Sequence, residues 1–160
     1  MRKLVYWPAA ILKQVSEPLT EAPAPDLIAD MREIMRLHNG AGISAVQVGE
    51  LKRVLLAGDK VFVNPVFVSK SDEKVNRTEG CLSVPGFYEY VLRHQHVFVT
   101  YRDEKFELHE NERFDGFLAH VLQHEIEHLD GKMYLDRLTS ARRSQILGNM
   151  QALRRAGRLR

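Results

Sequence analysis

Apolar side chains at positions 27, 28, 31, 34 and 35 recur at the three-and-four spacing of one helix face. Asp26 precedes them as an N-cap type of residue and Asn39-Gly40 follows, so the pattern predicts a helix over 27–37. From about 52 to 110 the chain turns to short β-branched and aromatic runs: Arg53-Val54-Leu55-Leu56, Val61-Phe62-Val63-Asn64, Val66-Phe67-Val68 and Val97-Phe98-Val99-Thr100-Tyr101. Gly58-Asp59, Ser71-Asp72 and Arg102-Asp103-Glu104 supply turns between these expected strands. Helical spacing returns after Asp115-Gly116. There Phe117, Leu118, Val121, Leu122, Ile126 and Leu129 form a stripe that stops at Asp130-Gly131, predicting the most apolar helix of the chain. A last helix is expected over about 140–155, with Ile146, Leu147, Met150 and Leu153 on one side and arginines around much of the rest.

With 160 residues, 44% of them hydrophobic, the chain can bury roughly two-thirds of its unfolded surface, which predicts one globular domain over 1–160. No apolar run nears the roughly 20 residues needed to cross a bilayer, and the opening Met1-Arg2-Lys3-Leu4-Val5-Tyr6-Trp7-Pro8 lacks the apolar stretch of a signal peptide. A cytoplasmic protein without membrane contact is expected. The single cysteine, Cys81, can form no intrachain disulfide and fits a reducing compartment. The net charge of +2 hides an asymmetry: the last twenty positions hold six of the 23 basic residues and none of the 21 acids. The picture becomes a basic C-terminal segment on a mildly acidic body.

Candidate chemistry sits on the apolar helix, where His124-Glu125-Ile126-Glu127-His128 fits H-E-x-x-H. Residues four apart share a helix face, so both imidazoles can meet one metal ion. Glu125, beside the first of them, can take a proton from water there and later pass it to a leaving amine. So short a pattern also arises by chance, as two histidines and two acids on a wet face. The apolar flanks point instead to burial, where such groups are costly without partners, and a metal supplies partners.

A catalytic site of this kind offers three protein ligands and an open position. The metzincin position ten residues after His124 holds Tyr134; Asp130 falls at the helix end and Asp136 beyond the following turn. His120 lies about two turns from His128, roughly 12 Å of rise, and is assigned to a pocket wall or a hydrogen bond rather than to the ion. The best third ligand is Cys81, in Thr78-Glu79-Gly80-Cys81-Leu82-Ser83-Val84-Pro85-Gly86. A lone cysteine is more often a small core residue, but with the two histidines a thiolate completes a set suited to a divalent transition metal. The glycine-bearing stretch Gly40-Ala41-Gly42-Ile43-Ser44-Ala45-Val46-Gln47-Val48-Gly49 reads by itself as a helix C-cap and tight loop; no lysine follows to make it a phosphate loop.

Taken in order, Gly40-Ala41-Gly42-Ile43-Ser44-Ala45-Val46-Gln47, Glu79-Gly80-Cys81-Leu82-Ser83 and Gln123-His124-Glu125-Ile126-Glu127-His128-Leu129-Asp130-Gly131 resemble the peptide deformylase pattern G-x-G-L-A-A-x-Q, E-G-C-L-S and Q-H-E-x-x-H-L-x-G. The resemblance spans most of the chain. It implies an α+β fold with antiparallel strands packed around a buried metal-binding helix, flanked by an N-terminal and a C-terminal helix. It also implies hydrolysis of the formyl group from N-formylmethionyl peptides of nascent proteins, the substrate lying extended along a strand edge. Metal ligands would be Cys81, His124 and His128, and Glu125 the general base and acid. Gln47 and the Leu82 backbone N–H would stabilise the negative oxygen. The methionine pocket would draw on Gly42, Ile43, Gly80, His120 and Val121. Fe(2+) is the ion the resemblance implies in cells, with Ni(2+), Co(2+) or Zn(2+) able to take its place.

This chain departs from the pattern in reading Ile43-Ser44 for Leu-Ala and in placing His120 where the family commonly has an apolar residue, changes that bear on the pocket's side-chain preference. Glu79 and Arg93 are candidates for an ion pair supporting the cysteine strand; two unrelated surface charges are the alternative. Arg142, Arg143, Arg154, Arg155, Arg158 and Arg160 form either a solvated helix face or a contact to ribosomal RNA phosphates. A monomer is expected. Two rivals remain at this point: a zinc peptidase that does not use Cys81, and a binding protein without turnover, against which intact Glu125, Gln47 and Cys81 argue.

Overall fold

In the computed structural model, which describes residues 1–159, the β-branched middle of the chain forms antiparallel strands and the periodic segments form helices. The strands are β1 (Gly42–Ser44), β2 (Val54–Ala57), β3 (Lys60–Lys70), β4 (Lys74–Cys81), β5 (Val84–His94), β6 (His96–Arg102) and β7 (Leu108–Asp115). The helices are α1 (Pro25–Leu37), α2 (Gly116–Leu129) and α3 (Ser140–Arg155), joined by short 3-10 turns at Ala10–Lys13, Ala45–Val48 and Tyr134–Arg137. One sheet runs β1-β2-β3-β6-β7, and β4 and β5 form a separate hairpin. The fold is α+β.

Strand alternation explains how the sheet holds a helix on each face. Val54 and Leu56 of β2, with Val61 and Val63 of β3, pack against Leu27, Ile28, Met31 and Ile34 of α1. The intervening Leu55, Ala57 and Phe62 point the other way, onto Ala119, Val121, Leu122, Ile126 and Leu129 of α2. Each fully buried aliphatic or aromatic side chain of this size contributes about 1.5–3 kcal/mol, so α2 is held by its stripe rather than by helix propensity. A third cluster, with Val84, Val91, Tyr134, Ile146 and Met150, fastens the hairpin and α3 to the body. No described helix is long and apolar enough to cross a membrane.

Several sequence expectations change in detail. Asp26 is not the cap of α1: Ala24 takes that place and Pro25 opens the helix, its missing N–H costing nothing at a first-turn position. Asp26 instead sits in the first turn, 3.1 Å from the Arg2 guanidinium. The two runs on either side of Pro65 are one strand, β3, interrupted by a register shift between Val63 and Val66 that tolerates the proline. Asn64 there has φ of 50° and seals the irregularity, accepting from Leu19 N–H at 2.8 Å and donating to its carbonyl at 2.7 Å. Arg160 lies outside the described residues.

Candidate metal centre

The hairpin brings the cysteine to the helix. Cys81 closes β4 and pairs with Val84, leaving Leu82 and Ser83 as a two-residue turn. This turn abuts α2 so that Cys81 Sγ lies 3.3 Å from His128 Nε2, while His128 Nε2 and His124 Nε2 are 3.2 Å apart. One ligand atom from each of the three residues lies within 4.8 Å of the others.

Glu79 decides which nitrogen of His124 is free. Its carboxylate, which can only accept, takes Nδ1–H of His124 on Oε1 and Nε2–H of His120 on Oε2 at 2.7 Å. His124 is thereby left with its Nε2 lone pair facing His128 and Cys81. Arg93 grips the same carboxylate at 2.7 and 2.6 Å, so the expected Glu79–Arg93 pair is present and buried. Burial alone would raise the pKa of Glu79, but hydrogen bonds from Arg93, His120 and His124 hold it far below the usual carboxylate range. Arg93 is also 3.1 Å from Glu127, which in turn pairs with Arg137 at the surface.

The donor set suits a cation. Burial would lower the pKa of His124, yet Cys81 and Glu79 outweigh it and push the value well above the ordinary one, so the position favours positive charge. Burial, aided by the charge of His124, holds His128 well below its ordinary pKa and therefore neutral, the form a ligand needs. Among the described residues, buried His128 Nδ1 has no hydrogen-bond partner. Three facing Lewis bases need a proton or an ion between them, and a thiolate with two imidazoles fits a divalent transition metal.

Around this centre opens a cavity of about 340 Å³ whose lining includes Gly42, Gly80, Leu82, His120, Val121 and Glu125. Glu125 is buried, which pushes its pKa up to about 6 against the charge of His124 and a hydrogen bond from Ser44. Gln47 Nε2 points at Ser83 Oγ (3.1 Å) and Cys81 Sγ (3.5 Å), its orientation set by Ser44 N–H donating to its Oε1 at 2.8 Å. Gly42 must be glycine: a Cβ would stand 2.7 Å from Val121 Cγ1 and 2.8 Å from Glu125 Oε1.

Placement departs from expectation at two residues. Ile43 does not line the cavity; its side chain is fully buried among the α1 cluster, because in a strand Gly42 and Ile43 face opposite ways. Phe117, counted in the buried stripe of α2, is 60% exposed and stands at the cavity's edge instead. His120 behaves as expected of a wall residue with a hydrogen-bond partner. Sequence reasoning missed Tyr88, Ser83 and the role of Ser44; Tyr88 stacks across Gly80, where a Cβ would meet its ring at 2.6 Å.

Antiparallel strands around an H-E-x-x-H helix, with a cysteine opposite the two histidines and a buried acid beside them, define a metallohydrolase. Comparison with known proteins narrows the class. The polypeptide deformylase family model matches residues 1–144. Peptide deformylase of Wolinella succinogenes is 37% identical, covering 98% of this chain and 99% of its own. The crystal structure of peptide deformylase from Ehrlichia chaffeensis superposes with a TM-score of 0.93 at 32% identity, covering 98% of each chain. The same enzyme in complex with actinonin gives 0.90 at 34% identity over 95% of this chain and 96% of that one. The chain belongs to the peptide deformylase family.

Proposed function

We propose that the chain removes the formyl group from N-formylmethionyl peptides of nascent proteins, with Cys81, His124 and His128 holding one divalent metal. The observation carrying this reading is the convergence of those three ligand atoms beside buried Glu125. Fe(2+) is the proposed ion in cells, with Ni(2+), Co(2+) or Zn(2+) as substitutes. A metal held there would supply Lewis acidity, easing loss of a proton from water at neutral pH. Glu125, buried beside the ligand atoms, accepts that proton and returns it to the departing amine, so that formate and a free N-terminus result. The Gln47 amide N–H and the Leu82 backbone N–H would stabilise the oxygen that becomes negative.

The first side chain of the substrate enters the cavity past Gly42, Gly80, His120 and Val121, with Ile43 contributing backbone only. The chain acts as a monomeric, single-domain, cytoplasmic enzyme. Its basic end meets ribosomal RNA: Arg142 is occupied by Glu89 at 2.5 Å, whereas Arg154, Arg155 and Arg158 are exposed. The test is formate release from a formyl-Met peptide by anaerobically prepared, iron- or nickel-loaded protein. Turnover lost in Glu125→Ala supports the reading, and absence of turnover in folded, metal-replete protein refutes it.

A further inference from the structure

The hairpin of β4 and β5 has its alternation reversed. An antiparallel pair with one wet face normally turns apolar side chains inward and charged ones outward. Here Glu79 and Arg93 are buried against the body and Glu89 pairs with Arg142 of α3, while Tyr88, Tyr90 and Leu92 point to solvent at 68%, 74% and 52% exposure. Thr78 lies opposite Tyr90 and Asn76 opposite Leu92, so exposed uncharged polar groups border the apolar ones, with Lys74 at the end away from Cys81. The stripe begins at the cavity beside the metal centre, because Tyr88 lies across Gly80 and lines the cavity wall. From Tyr88 it runs four residues to Leu92, about 13 Å at about 3.3 Å per residue. At the far end Asn76, Tyr90, Leu92 and Arg137 border a shallow cleft.

Resting on the deformylase reading, we propose that Tyr90 and Leu92 form a track for the substrate polypeptide well downstream of its formylated end, reached by residues from about the fourth to the eighth of an extended chain. A contiguous apolar stripe left in water marks an interaction surface. Continuity with the cavity identifies the occupant: Tyr88 belongs to both, so a chain leaving the cavity over Tyr88 next meets Tyr90, two residues along the same face. The chemistry is generic, as suits nascent chains that share only their first residue. Tyrosine offers a large amphipathic contact, and the Asn76 and Thr78 side chains can pair with main-chain N–H and C=O groups of any sequence. A second copy packed on the stripe would instead cover Tyr88 and with it the mouth of the cavity.

The test measures formate release from a ten-residue formyl-Met peptide, with leucine and serine alternating from the fourth position, and from its three-residue truncation. Metal-replete parent is compared with the double variant Tyr90→Thr, Leu92→Thr, and sedimentation velocity is run on both. Threonine keeps the strand preference of these positions. Contact with the stripe predicts a parental KM about ten- to thirtyfold lower for the longer peptide at similar kcat, as expected of binding that is equal in ground and transition states. In the double variant that gain should shrink to about twofold. Equal KM for the two lengths in the parent, or a variant that keeps the full gain, overturns the proposal. So does a parental dimer that the double variant turns into a monomer, because a second copy then occupies the stripe. Benzoylphenylalanine at the sixth position of the longer peptide gives a readout in the unmutated chain: light should attach it to β4 or β5, and attachment confined to other elements overturns the track. A parent that releases formate from neither peptide refutes the deformylase reading itself, and the track falls with it.

Discussion

Glu79→Gln removes one charge from the centre of a buried network and leaves its shape nearly unchanged. Glu79 accepts from Arg93 twice, from His120 and from His124, while the amide offers one oxygen and turns an NH2 toward groups that are themselves donors. Arg93, 2% exposed, would keep Glu127 at 3.1 Å as its one carboxylate partner among the described residues. Breaking a buried ion pair from one side costs about 3–5 kcal/mol, and the surviving Glu127 contact places this case near the lower end, about 3 kcal/mol. For a chain of this length that lowers Tm by about 6–12 °C. Freed rotation of His124 should weaken metal binding by about 10–100-fold.

Urea unfolding of the metal-free chains at pH 7, with chelator competition for the metal, measures both effects. The pH dependence has a sign. Because the folded-state pKa of Glu79 is depressed, its contribution is present above the ordinary value of 4.5 and fades as pH falls below it. The gap between parent and variant should then shrink by about 1.4 kcal/mol per pH unit below that point. A loss under about 1 kcal/mol with unchanged metal affinity would refute the view that Glu79 organises the centre.

Glu125 titrates with the opposite sign: its folded value is raised from 4.5 to about 6, so metal-free protein should lose about 2 kcal/mol as pH rises through that window. Glu125→Gln should flatten this part of the stability profile, and an unchanged profile would contradict the assigned burial cost. Gly42→Ala should depress deformylation far more than stability, since the added methyl strikes Glu125 Oε1 and Val121; parallel urea curves and activity assays separate the two, and a fully active variant would refute the close approach. Glu substitutions at Arg154, Arg155 and Arg158 should reduce co-sedimentation with ribosomes and its salt dependence while sparing turnover of short peptides; unchanged co-sedimentation would sink the docking reading.

The helices were the most legible part of the sequence, because their periodic stripes are long and their ends carry Asn39-Gly40 and Asp130-Gly131. The spacing of His124 and His128 and the exclusion of His120 as a ligand also rested on helix geometry alone. The hairpin was not legible. Lys74, Asn76, Thr78, Tyr88, Tyr90 and Leu92 face outward on β4 and β5, so no clean apolar-in, polar-out alternation marks these strands. Phe117 misled because periodicity reports which face a residue occupies and not how far that face continues to be covered at a helix end. The inward turn of Ile43 and the contacts of Ser44 depend on how β1 meets α2, a tertiary relation that no local pattern encodes.

Cys81 belongs to a hairpin that shares no strand pairing with the sheet carrying α2. An ion held by Cys81 and the α2 histidines would act as a removable cross-link between this hairpin and the helix on the other sheet, joining positions 47 residues apart in the chain. In the unfolded chain, closing a loop of that length costs on the order of 3 kcal/mol, and in the folded chain local opening of the hairpin would first have to break the tie. Chelation should let the backbone amides of β4 and β5 exchange with deuterium well before those of β2 and β3.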